Sequence, residues 1–183
     1  TFHSNDFDIS TDLFFCYPGN PKANVHLGTS TVYSGRFYST FIDTNLTSNN
    51  ANLVFDPALS GSSWSYLEVN NQSFNDIHFM NDGKVKGTFS CNNLVFDAQD
   101  SIDSGNANIL NLILGDDSYI QGWISADSIV QTVPGKVFGL GPFTTINIGS
   151  AFETGGISCD QLTRITSAGT ATLTKSSGTV DLD

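Results

Sequence analysis

Apolar and polar residues alternate with a period of two along most of the chain, most clearly from Phe74 to Gly122. Three pieces there run the same way: FNDIHFMNDGKVKG, TFSCNNLVFDAQDSIDSG and NANILNLILGDDSYIQG. Each opens on an alternating apolar strand: Ile77 and Phe79, Leu94 and Phe96, Leu112 and Leu114. A short polar corner follows, then an apolar residue, one spacer or two, and glycine. These marks are Val85-Lys86-Gly87, Ile102-Asp103-Ser104-Gly105 and Ile120-Gln121-Gly122, so the glycines recur at 18 and 17 residues. A unit this short cannot bury its own apolar side and must stack on its neighbours. The pattern predicts an all-β chain, a parallel β-helix or β-solenoid, with coils of about 17–26 residues.

Further marks extend the repeat. Asn52-Leu53-Val54-Phe55-Asp56 repeats Asn93-Leu94-Val95-Phe96-Asp97. Glycine marks end at Gly35, Gly61 and Gly139; the early ones lie 26 residues apart, so the early coils carry insertions or an extra strand. Residues 1–23 read as a first coil or a lid over an open end, which would otherwise present unpaired strand edges. Roughly ten coils at ~4.8 Å predict a rod of about 45–50 Å. No stretch holds a 3.6-residue period, so no long helix is expected. Val85, Gly87, Phe89 and Cys91 share the inward parity. Asn52, Asn93 and Asn111, each heading a strand, are placed to form stacked amide ladders.

Composition narrows the function classes. The 183 residues fit one domain, 1–183. Seven Lys and Arg stand against 18 Asp and Glu, for a net charge of −11. Such a surface repels phosphate backbones and anionic lipid, which argues against nucleic-acid partners and membrane docking. No apolar run reaches 18 residues, so no membrane insertion is expected, and no signal peptide is visible. A first residue that is Thr rather than Met points to a piece of a longer protein. Cys16, Cys91 and Cys159 lie about four coils apart, ~19 Å along the axis. A disulfide needs Cα atoms within ~7 Å, so three free, mostly buried thiols are expected.

The candidate chemistry is sparse. Asp97, Asp100 and Asp103 crowd one corner and are candidate Ca2+ ligands, as is the pair Asp6 and Asp8, although neither set matches an EF-hand loop. Otherwise these are solvated turn acids and no cofactor is expected. Trp64, Tyr66 and Trp123 have outward parity and are candidate binding residues, since exposed aromatic faces stack on sugars or on another domain. Pectin-cleaving β-helices make an enzyme the main rival; paired carboxylates supply acid and base in glycoside hydrolysis. Here only Asp116-Asp117 stand together, and His3, His26 and His78 follow Phe2, Val25 and Ile77 rather than glycine. HExxH, GxSxG and CxxC are absent.

Phe74-Asn75, Asn92-Asn93-Leu94, Cys159 and Ser176-Ser177-Gly178-Thr179-Val180 carry a likeness to a known group. Over roughly residues 24–183 the pattern resembles coils of the large mobile gliding adhesins of Bacteroidota, of the SprB type, and related type IX secretion substrates. The resemblance implies a non-catalytic structural and adhesive segment of a cell-surface protein, extracellular and associated with the outer membrane. It implies as partners the flanking domains of the same protein, extracellular polysaccharide, and the secretion or motility machinery. The family's carboxy-terminal sorting domain does not occur in these residues. A carbohydrate-active enzyme fragment and an ice- or glycan-binding module are the alternatives; Thr residues falling on no regular column weaken ice binding.

Overall fold

Parallel pairing of one short strand on the next organises the chain. The computed structural model describes residues 1–16, 24–39, 45–48, 50–61, 63–133, 136–141, 144–154, 164–167 and 171–175. The strands are β1 (Phe2–His3), β2 (Ile9–Phe15), β3 (Asn24–His26), β4 (Thr31–Ser39), β5 (Asn45–Thr47), β6 (Asn52–Phe55), β7 (Trp64–Ser73), β8 (Asp76–Phe79), β9 (Asp82–Phe96), β10 (Asp100–Leu114), β11 (Ser118–Gln131), β12 (Val137–Leu140), β13 (Thr144–Thr154), β14 (Arg164–Ser167) and β15 (Ala171–Lys175), with one helical turn, α1 (Pro57–Ser60). Among the described residues nearly all regular structure is strand, and the strands stack as a β-solenoid of about six turns, as the alternation predicts.

Each turn has three faces. On the first, Phe14, Phe37, Leu67, Val85, Ile102, Ile120 and Leu140 stand in one register line. The second carries Phe89, Ala107, Ile124 and Ile146, beside Cys91, Ile109, Ala126 and Ile148. On the third, Val32, Leu53, Ile77, Leu94, Leu112 and Ile129 are in line, and Phe55, Phe79, Phe96 and Leu114 form the neighbouring line. Apart from half-buried Phe14, these side chains are buried. Like residues therefore stack on like: the Phe55 and Phe79 rings lie 4.2 Å apart and the Phe79 and Phe96 rings 4.8 Å apart, both pairs near parallel.

Turn length corrects the count. The middle rungs, β7 to β11, follow at 17 or 18 residues, whereas early rungs pair across 21 to 30 and the last described ones across 20 to 27. About six turns result rather than ten, and the rod is shorter in proportion. Residues 1–15 are a first rung and not a lid, because β1 pairs with β3 and β2 with β4, both in parallel. One insertion is α1, where the sequence pattern placed a strand mark at Leu59-Ser60-Gly61. The Asp56 carboxylate accepts from Ala58 N at 2.8 Å, Pro57 begins the turn, and Gly61 closes it at φ +56°. Asp-Pro and a left-handed glycine are start and stop signals for a helix.

The glycine marks also do not form one column. Gly87 and Gly122 are rung-mates of Ser104, not of Gly105. Gly105 is an extra residue at a register shift in β10. Gly35 precedes Phe37 on the first face, whereas Gly87 follows Val85, so the two lie at different corners.

Candidate functional site

Alternation that sends Leu53 and Phe55 inward sends Asn52 and Val54 outward. The outer side of the third face accordingly carries two parallel lines of side chains. One is polar: Thr31, Asn52, Asp76 and Asn93. The other is Tyr33, Val54, His78 and Val95. These eight residues, with Leu53 beneath them, line a groove of about 440 Å³ across β4, β6, β8 and β9.

The polar wall is held by side-chain hydrogen bonds between rungs. Asn93 Nδ2 donates to Asp76 Oδ1 at 2.7 Å, and Asn111 Nδ2 donates to Asn93 Oδ1 at 2.8 Å. A second ladder runs beside it, Asn92 Nδ2 donating to Asn75 Oδ1 at 2.8 Å and Asn75 Nδ2 to Asn52 Oδ1 at 2.9 Å. The expected Asn ladder thus exists, but as two: Asn93 and Asn111 share one, and Asn52 belongs to the other. In the apolar wall, His78 Nε2 lies 2.9 Å from Asp97 Oδ2.

The sequence candidates do not converge. Trp64 and Trp123 are exposed at 39% and 60%, in keeping with their outward parity. Yet Trp64 is a rung-mate of Asp82 on the first face and Trp123 of Thr145 on the second. Tyr66 is half-buried beside Tyr38, ring centroids 5.3 Å apart, and its hydroxyl donates to Glu68 Oε2 at 3.2 Å. Burial, with the Glu68 carboxylate adding, pushes the phenol up to about 12.

Of the three aspartates, Asp97 pairs with His78 and Asp103 is exposed on the outer side of the first face. Asp100 is 2% exposed and points inward, where Ser118 Oγ donates to its Oδ2 at 2.7 Å. Burial raises its carboxyl to about 8, against the hydrogen bonds from Ser118 and the Tyr119 backbone. Period two separates Asp100 and Asp103 onto opposite sides of one strand, and among the described residues no three His, Cys, Asp or Glu side chains cluster. Asp6 and Asp8 are turn acids: Asp6 Oδ1 accepts from Thr29 N at 2.8 Å and Asp8 Oδ1 from Thr31 N at 3.0 Å. Asp116 pairs with Lys136 at 2.5 Å, which holds its carboxyl below the usual range. His26 stacks on His3 with centroids 4.5 Å apart.

Cys16 and Cys91 are free and buried. Desolvation pushes their thiols up to about 11 and about 12. They lie three rungs apart rather than four, β2 to β4 to β7 to β9, because the early turns are long. Cys159 lies outside the described residues.

The groove is what sequence reasoning missed. Its signal is the valine in each Asn-Leu-Val-Phe repeat, an apolar residue at an outward position where the alternation calls for a polar one. No protein-family model, curated protein or solved structure matches this chain.

Proposed function

We propose that this chain is a non-catalytic structural and adhesive segment, a stiff β-solenoid spacer within a secreted cell-surface protein that serves surface attachment or gliding. The observation that carries the reading is the unbroken interior stack. Among the described residues the strands from β3 to β13 pair in parallel with their neighbours and bury their apolar side in one interior cluster. Such an array resists bending and holds its outer faces at a fixed spacing of ~4.8 Å. The likeness of the Phe-Asn and Asn-Asn-Leu motifs to gliding adhesins supports an extracellular setting, with flanking domains of the same protein as partners.

The side chains an enzymatic reading draws on lie on different parts of the fold. Asp116 is engaged by Lys136, His26 by His3 and His78 by Asp97, so each is tied into a contact within the fold. Glycoside hydrolysis, the enzymatic rival, ordinarily needs two carboxyl groups flanking the scissile bond. The test is adhesion of beads carrying the chain to polysaccharide-coated surfaces under flow, with release of reducing ends assayed in parallel. Retention without sugar release is expected. Sugar release that disappears in Asp116→Asn and Asp117→Asn would replace this reading with an enzymatic one.

A further inference from the structure

We infer that the groove on the outer side of the third face is a binding site for a neutral, linear glycan lying along the solenoid axis. The inference rests on the adhesive reading and gives it a chemical partner.

The shape is the first argument. The groove crosses four successive rungs, so a ligand filling it is extended and meets equivalent positions at ~4.8 Å intervals. A sugar chain repeats on a comparable length scale, so neighbouring rings face neighbouring rungs.

The two walls are the second argument. A pyranose ring has a hydroxyl edge and a C–H face. Thr31, Asn52, Asp76 and Asn93 offer hydroxyl, amide and carboxylate groups along one wall. Each amide has two donors and an oxygen with two lone pairs. The ladder uses one donor and one lone pair of Asn93, leaving one of each for a ligand. Because the ladder already fixes the amide planes, little ordering is left to occur on binding. Beside them on the same face, Tyr33, Val54 and Val95 supply the apolar surface that a C–H face needs, with Tyr33 37% exposed.

Charge argues against anionic polymers, and backbone pairing against a peptide that adds as a strand. No Lys or Arg lines the groove, Asp76 does, and the chain carries −11. Uronate polymers and nucleic acids would meet repulsion with no cation to offset it. A peptide adding as a strand needs a free sheet edge. The lining strands β4, β6, β8 and β9 pair in sequence, and β2 and β10 cover the outer two. Every backbone edge at the groove is taken, so recognition falls to side chains.

The test is calorimetric titration of the chain with linear neutral hexasaccharides (gluco-, manno- and xylo-configured), a galacturonate oligomer and oligolysine. Tyr33→Ala and Val54→Asp alter outward side chains, and circular dichroism checks that the solenoid survives. The expected result is saturable binding of a neutral hexasaccharide, weakened about tenfold or more by either variant and unchanged by Trp123→Ala on the second face. Carbon and proton shifts of the His78 ring should move during the titration, a readout that needs no variant. Absence of binding by any neutral hexasaccharide overturns the proposal. So does preference for galacturonate or oligolysine, or binding that depends on Trp123 and not on Tyr33. Each of these outcomes leaves the spacer reading standing, whereas saturable groove binding by a chain whose beads do not adhere under flow would remove the adhesive role alone.

Discussion

Ser104 Oγ donates a 2.8 Å hydrogen bond to the carbonyl oxygen of Gly87 on the preceding rung. Ser104 therefore occupies the corner position that glycine holds one rung before it and one rung after. Gly87 and Gly122 have φ of +106° and +102°, which L side chains rarely adopt. A Cβ on Gly122 would stand 1.7 Å from Ser104 O, and one on Gly87 would stand 1.8 Å from Val69 O.

Gly122→Ala should therefore destabilise the chain by at least about 2 kcal/mol, since strained backbone and a blocked backbone approach act together. Gly105→Ala should cost less than about 1 kcal/mol. Its added Cβ meets only the Thr88 side chain, at 3.2 Å. Equilibrium urea unfolding of the two variants checks the ranking. Equal losses would place Gly105, and not Ser104, in the corner column.

Phe79 lies between Phe55 and Phe96 in the interior stack. Phe79→Ala removes a fully buried ring and both stacked contacts, and should cost about 3–5 kcal/mol. Phe79→Leu keeps much of the volume and should cost clearly less. The same unfolding measurement, with the two variants side by side, separates cavity formation from loss of stacking.

Asn93 donates to Asp76 and accepts from Asn111. Asn93→Asp loses the donor and sets one carboxylate against another, so at pH 7 it should cost about 1–3 kcal/mol. Below about pH 4 the new carboxyl takes up a proton and regains a donor. The deficit should shrink there. No deficit at pH 7 would mean that the ladder bond contributes nothing.

Asp100 links stability to pH. Its carboxyl holds a proton up to about 8 in the folded chain, whereas an unfolded aspartate releases it near 4. Between those values the folded state binds more protons, so stability falls as pH rises, by at most about 1.4 kcal/mol per unit, and levels off above about 8. Asp116, held low by Lys136, acts in the opposite direction and only at acid pH. Urea midpoints from pH 4.5 to 8.5 should decline for the native chain and stay flatter for Asp100→Asn. Superimposable profiles would show that Asp100 is charged in the fold.

The alternation of Leu53, Phe55, Ile77, Phe79, Leu94 and Phe96 already marked the interior, and all six are buried. It also sent Trp64 and Trp123 outward. Side-chain direction in a strand has a period of two, so it follows from neighbours in sequence alone. The need of a short unit to stack is equally local, and it makes the solenoid legible in the sequence.

Which residue stands above which is a different matter, because it depends on how many residues each corner consumes. The extra Gly105, the helical turn after Asp56 and the long early turns shift the count. They place Ser104 over Gly87, reduce ten coils to about six, and put Asn52 in a different ladder from Asn93 and Asn111. The groove follows from the same cause. Tyr33, Val54, His78 and Val95 are 17 to 24 residues apart in the chain, and only parallel pairing of their strands brings them into line. Sequence by itself determined which way each side chain faces, through a period set by the backbone. Tertiary structure alone decided which side chains meet, through corner lengths that no period encodes.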